Sequence, residues 1–112
     1  MGDSAVRQAR LAVAELWVRF GPTIMERLGV LAQATAALEE HRLSDSLRLR
    51  AEQEAHKLAG SLGTFGFAEG TVLARAIEMH FQPAALLTTA DMADLREKIA
   101  ALRSELEKPP AV

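Results

Sequence analysis

Apolar residues recur at three- and four-residue steps along most of this chain, and nowhere do they alternate at a two-residue step. Steps of three and four fill one face of an α-helix, whereas a step of two fills one face of a strand. The pattern therefore restricts the chain to helices packed on helices. Its 112 residues, 49% of them hydrophobic, suffice for one domain with a single core.

Helix signals divide that domain. Helices are expected over about 4–20, 22–40, 45–63, 68–81 and 89–107, with 108–112 a frayed tail. Asp3 and Ser4 both suit the first N-cap, and Val6, Leu11, Val13, Ala14, Leu16, Trp17 and Phe20 supply that helix's apolar contacts. Gly21-Pro22 reads as its stop, since proline is tolerated only in the first turn of the next helix. Ile24, Leu28, Leu31, Ala34, Thr35 and Leu38 carry the second helix inward. Ser44 caps the third; Gly63 to Gly66 form a turn that folds Phe65 or Phe67 into the core. Leu73, Ala76, Ile77 and Phe81 face inward from the fourth, and Thr88 to Asp91 reads as a capping box for the fifth. Short connections between the last four favour antiparallel neighbours. The expected fold is all-α: an antiparallel up-down four-helix bundle with an additional N-terminal helix across one end, Trp17 and Phe20 forming a lid.

The third helix breaks a local rule. His56 is followed at +4 and +7 by Gly60 and Gly63. Glycine in a helix interior costs about 1 kcal/mol relative to alanine. Helical side chains lean toward the N-terminus, so the residues at +3 and +4 overlie the one below. At those positions stand Ala59 and Gly60, a methyl group and nothing. Leu47, Ala51, Ala55, Leu58 and Leu62 form the buried stripe of the same helix, and His56 lies at its edge or outside it. The expectation is an accessible imidazole on a bare patch. Packing is the alternative use for Gly60.

His56-Lys57-Leu58-Ala59-Gly60-Ser61-Leu62-Gly63-Thr64-Phe65-Gly66-Phe67 resembles the signature of histidine-containing phosphotransfer (HPt) domains, and its ending is similar to that of chemotaxis-kinase phosphotransfer domains. The resemblance implies that His56 accepts and donates a phosphoryl group in a two-component His–Asp phosphorelay. It places an orienting glutamate at Glu78, and helix lengths make that contact feasible, because the opposite lean of the two side chains partly cancels their unequal distances from the turn. It makes Lys57 a stabiliser of phosphoryl charge and Ala59, Gly60 and Gly63 an access and docking surface. Many relatives carry a second lysine where Ala59 stands; Arg75, one turn before Glu78, is the candidate substitute.

A phosphoryl group would have to arrive from elsewhere, because the chain has no phosphate-binding glycine loop ending in Lys-Ser or Lys-Thr. The expected role is thus a carrier and co-substrate with no kinase activity and no cofactor of its own. The resemblance implies a response-regulator receiver domain or a hybrid sensor kinase as partner, with Mg²⁺ on the receiver. The alternative is a helical module that docks a receiver or kinase without taking phosphate. A net charge of -2 gives no reason to expect nucleic acid, and no apolar run approaches a membrane span. There is no cysteine, and the first residues have no apolar run of the kind a secretory leader needs, so none is expected. A cytoplasmic monomer without a metal site is expected. His41 and His80 have no nameable partner and are read as structural or incidental.

Overall fold

The computed structural model describes residues 2–83 and 87–108. Within them lie four helices and no strand: α1 (Gly2–Glu39), α2 (Asp45–Thr64), α3 (Ala68–His80) and α4 (Thr89–Leu106). The last three match the expected helices to within about a residue at each end. Most of the expected tail, 109–112, lies outside the described residues.

The expected break at Gly21-Pro22 is absent. α1 runs unbroken for 38 residues with Pro22 inside it, so no separate helix lies across the end of the bundle. An interior proline forfeits a hydrogen bond and costs about 3 kcal/mol. Here the loss falls on the outer side of α1, where Val18 and Pro22 are exposed. On the inner side Trp17, Ile24 and Leu28 continue one apolar stripe into the core. Burying such side chains stabilises by roughly 1.5–3 kcal/mol each, so packing continuity outweighs one proline.

Residues 3–12 are exposed, including Val6 and Leu11, which were expected to be packed. Of the expected lid only Trp17 closes, with its ring centroid 5.2 Å from that of Phe65 and 4.9 Å from that of Phe67. Phe20 stays 45% exposed. Phe65 and Phe67 are both buried.

The helices form a ring in which α1 and α3 each pack on α2 and α4. Neighbours run in opposite directions. Trp17 meets Phe65 while Arg27 meets Glu54. Thr71 bonds Ala59 while Glu78 bonds His56. A β-carbon on Gly70 would touch Leu102, while His80 reaches Asp94. Leu28, Leu31, Leu58, Leu62, Ile77, Phe81, Leu95 and Leu102 fill the centre with almost no exposure. Gly70 lets three helices close up there, because a β-carbon would come within 3.1 Å of Leu62 and 3.3 Å of Phe67.

Both tight connections use a left-handed residue. After α2, Gly66 has φ 81° and Phe67 N–H donates to the Leu62 carbonyl at 2.9 Å. This is a Schellman end, and it folds Phe67 back onto the core. After α1 the same device is built on His41, at φ 56°, with Arg42 N–H donating to the Ala37 carbonyl. An L-residue there is disfavoured by roughly 1–2 kcal/mol. His41→Gly is therefore expected to stabilise the fold by about 1 kcal/mol, read as a higher urea midpoint at unchanged slope.

α2 starts on Ser44, whose hydroxyl accepts from Leu47 N–H at 3.1 Å. α4 starts on the expected capping box, with Thr88 and Asp91 bonding each other's backbone N–H. Those bonds hold the Asp91 carboxyl below the usual aspartate range. A lowered folded-state pKa contributes stability above the ordinary carboxylate range and loses it as pH falls through that range. Thermal melts should weaken on the acid side, and Asp91→Asn should flatten that limb.

Candidate functional site

His56 stands on α2 where that helix borders α3, with its side chain 76% exposed. Its Nδ1 lies 3.1 Å from Oε2 and 3.3 Å from Oε1 of Glu78, on α3. A carboxylate can only accept, so Nδ1 carries the proton, and in the neutral ring Nε2 then keeps its lone pair. Among the described residues Nε2 has no hydrogen-bond partner.

Two cross-links bracket this pair and fix the register of α2 against α3. On one side the Thr71 hydroxyl donates to the Ala59 carbonyl at 3.1 Å. On the other the Arg48 guanidinium donates to the Phe81 carbonyl at 2.7 Å, neutralising the end of α3. A slide of one residue would carry Glu78 about 1.5 Å along its axis and turn it about 100° away. The bracketing bonds oppose that slide.

Gly60 sits one turn beyond His56, exposed, and a β-carbon there would meet nothing within 4 Å. Packing does not explain this glycine. Gly29, on the outer side of α1, is equally open, so openness alone marks no function. At Gly60 it coincides with an exposed imidazole. Gly60→Gln is expected to leave the melting temperature unchanged or raise it, since it removes a helix-interior glycine. The same change should slow reaction at His56 several-fold by covering the approach, as read by single-turnover labelling.

The other expected site residues divide. Gly63 is exposed beside Gly60. Ala59 does not belong to the bare patch: it is 6% exposed and packs in the core, because a +3 position turns toward α3. No hydrogen bond or ion pair joins Lys57 to His56 among the described residues. Its ammonium lies 3.6 Å from Glu54, which also takes Arg27 of α1 at 3.3 Å. Arg75 is exposed on the outer side of α3 and makes no ion pair among the described residues. Val72 and Met79, 60% and 65% exposed, flank it at helical spacing. An uncharged strip with one cation thus borders Glu78.

His80, read as structural or incidental, is structural and has a partner. Its Nε2 lies 3.0 Å from Asp94, which also takes Lys98 at 2.6 Å. The Lys98 bond first and the His80 bond second hold Asp94 below the usual aspartate range. This cluster ties the end of α3 to α4, away from His56. The Asp94–Lys98 spacing of four was the signal that a cation-rich cluster starts there.

Among the described residues no group of three His, Asp or Glu side chains could hold a metal ion. No described helix is long and apolar enough to cross a membrane.

A model of the Hpt domain family matches residues 15–108 of this chain. Protein RcaC of Microchaete diplosiphon is 36% identical over 64 residues, which are 57% of this chain and 10% of that protein. No solved structure matches the chain.

Proposed function

The chain belongs to the Hpt domain family, and from that premise we propose that His56 is the residue through which it accepts and passes on a phosphoryl group. Hpt domains are phosphocarrier modules that work with receiver domains and kinases in phosphorelays. The observation that carries the assignment is the held Nδ1–H of an exposed imidazole whose Nε2 is unpartnered among the described residues.

In the proposed reaction the Nε2 lone pair forms the P–N bond. The P–O bond to the partner's aspartate breaks, and that carboxylate leaves with the electron pair. Positive charge develops on the ring as the bond forms. Glu78 stabilises it through the Nδ1–H bond and keeps the ring aimed. The chain supplies a positioned nucleophile, and the receiver supplies Mg²⁺ and most of the stabilisation of the moving phosphoryl group. Gly60 and Gly63 leave room for the partner's approach, and Lys57 offers charge for the transferred group. Val72, Arg75 and Met79 give the partner an uncharged strip with a cation beside the ring. The module acts as a monomer in the cytoplasm.

The test is incubation with a phosphorylated receiver domain. The protein should acquire an acid-labile, base-stable label, and His56→Gln should lose it. A label that survives the substitution moves the site elsewhere. A stable complex without any label makes the chain a docking module only.

A further inference from the structure

Two tethers pull adjacent residues of α2 in opposite directions. Glu78 draws His56 toward α3, and Glu54 draws Lys57 toward α1. Glu54 is the more buried partner of its pair, with its side chain 15% exposed against 54% for Lys57. It is itself anchored: its second oxygen takes Arg27 Nε at 3.3 Å, and Arg27 also reaches the Ser61 hydroxyl at 3.5 Å. One carboxylate therefore serves two cations, one fixed between helices and one free to leave.

We propose that Glu54 is a positioning residue that parks Lys57 on the α1 side of α2 and yields it to the phosphoryl group once His56 carries one. The proposal rests on His56 being the phosphoryl acceptor. Its physical basis is competition for one ammonium. At rest Lys57 faces a single carboxylate oxygen at a loose 3.6 Å, while Arg27 keeps the same carboxylate occupied from the other side. A dianionic phosphoryl group on the next residue is the stronger acceptor, because charge-assisted bonds to phosphate oxygens are short and strong. Lysine can make the exchange because its charge sits on a flexible four-carbon stem. Glu54 stays behind, still paired with Arg27, so releasing Lys57 leaves no buried charge unpaired. Glu26 of α1 and Arg50 of α2 line the same shallow depression, and they supply one further charge of each sign.

Phosphoramidate tests this without any docking partner. Its phosphorus moves to His56 Nε2 as its own P–N bond breaks and ammonia leaves. The wild type, Glu54→Gln, Lys57→Ala and the double variant are labelled, and the loss of label is then followed by ³¹P NMR. Glu54→Gln should lengthen the lifetime of the phosphohistidine about two- to fivefold, the size expected of a partly exposed charge pair. The gain should vanish in the Lys57→Ala background. Equal lifetimes for Glu54→Gln and the wild type overturn the proposal, as does a gain that persists without Lys57. Should Glu54→Gln lower the melting temperature by stranding Arg27, adding Arg27→Met restores a folded background for the same comparison. A wild type that takes no label at His56 overturns the acceptor assignment itself, which separates the two failures.

Discussion

Glu78→Ala is expected to slow phosphoryl transfer by about 10²-fold while leaving the fold intact. The size follows from what a positioned proton partner contributes to a transition state, typically 10²–10⁴-fold. The low end applies because the ring of His56 is exposed and water can replace the lost carboxylate. Two effects combine. Without Glu78 the imidazole is free to rotate, and it exchanges the Nδ1–H tautomer for the other one, whose Nε2 cannot attack. The positive charge that builds on the ring also loses its counter-charge. Glu78→Gln separates them. Its amide oxygen can still accept from Nδ1–H, so aim is kept while charge is lost, and the rate should fall between those of wild type and alanine. The ¹⁵N spectrum of the imidazole provides the check. Alanine should shift the tautomer balance, glutamine should largely preserve it, and an unchanged balance in both would remove the orienting role from Glu78.

Phe81→Ala is expected to cost about 3–5 kcal/mol, the range for deleting a fully buried aromatic side chain. Phe81 is the bulkiest of the fully buried side chains. A domain of this kind has about 5–15 kcal/mol to lose, so the variant should be partly unfolded or nearly so at 37 °C. The loss also reaches the site. Phe81 closes α3, and its carbonyl receives Arg48 from α2. A collapsed side chain at that end would loosen one of the two bonds that keep Glu78 level with His56. Urea denaturation gives the stability change, and the residual transfer rate of the folded fraction shows whether the register has moved. A loss below about 1 kcal/mol would mean that the core refills the cavity.

The pairing of His56 with Glu78 was legible because the family resemblance pointed to Glu78 and quantities a sequence fixes made the contact feasible: rise per residue, the direction side chains lean, and a turn marked by glycine. The helices themselves were legible from their apolar steps. What failed was the reading of Gly21-Pro22 as a stop. That rule weighs a local hydrogen bond, and here the stripe through Trp17, Ile24 and Leu28 outweighs it. The resemblance made Lys57 a stabiliser of phosphoryl charge but said nothing of where its ammonium rests, which is against Glu54, three residues back on the same face. The Glu-to-Lys spacing was in the sequence and was the signal to read. The His80–Asp94 contact and the close approach at Gly70 depend on how α4 settles against α3, which no local pattern encodes.

The unbroken α1 also sets how the molecule moves in water. At about 1.5 Å per residue its 38 residues span the whole 57 Å long axis, while the other two dimensions are 22 and 21 Å. A rod of these proportions turns end over end more slowly than it spins. Amide bonds in all four helices lie close to the rod axis and feel mainly the slow rotation, while those at the turns sample the fast one. Backbone ¹⁵N relaxation should therefore divide into two groups by bond direction alone, before any internal motion is considered.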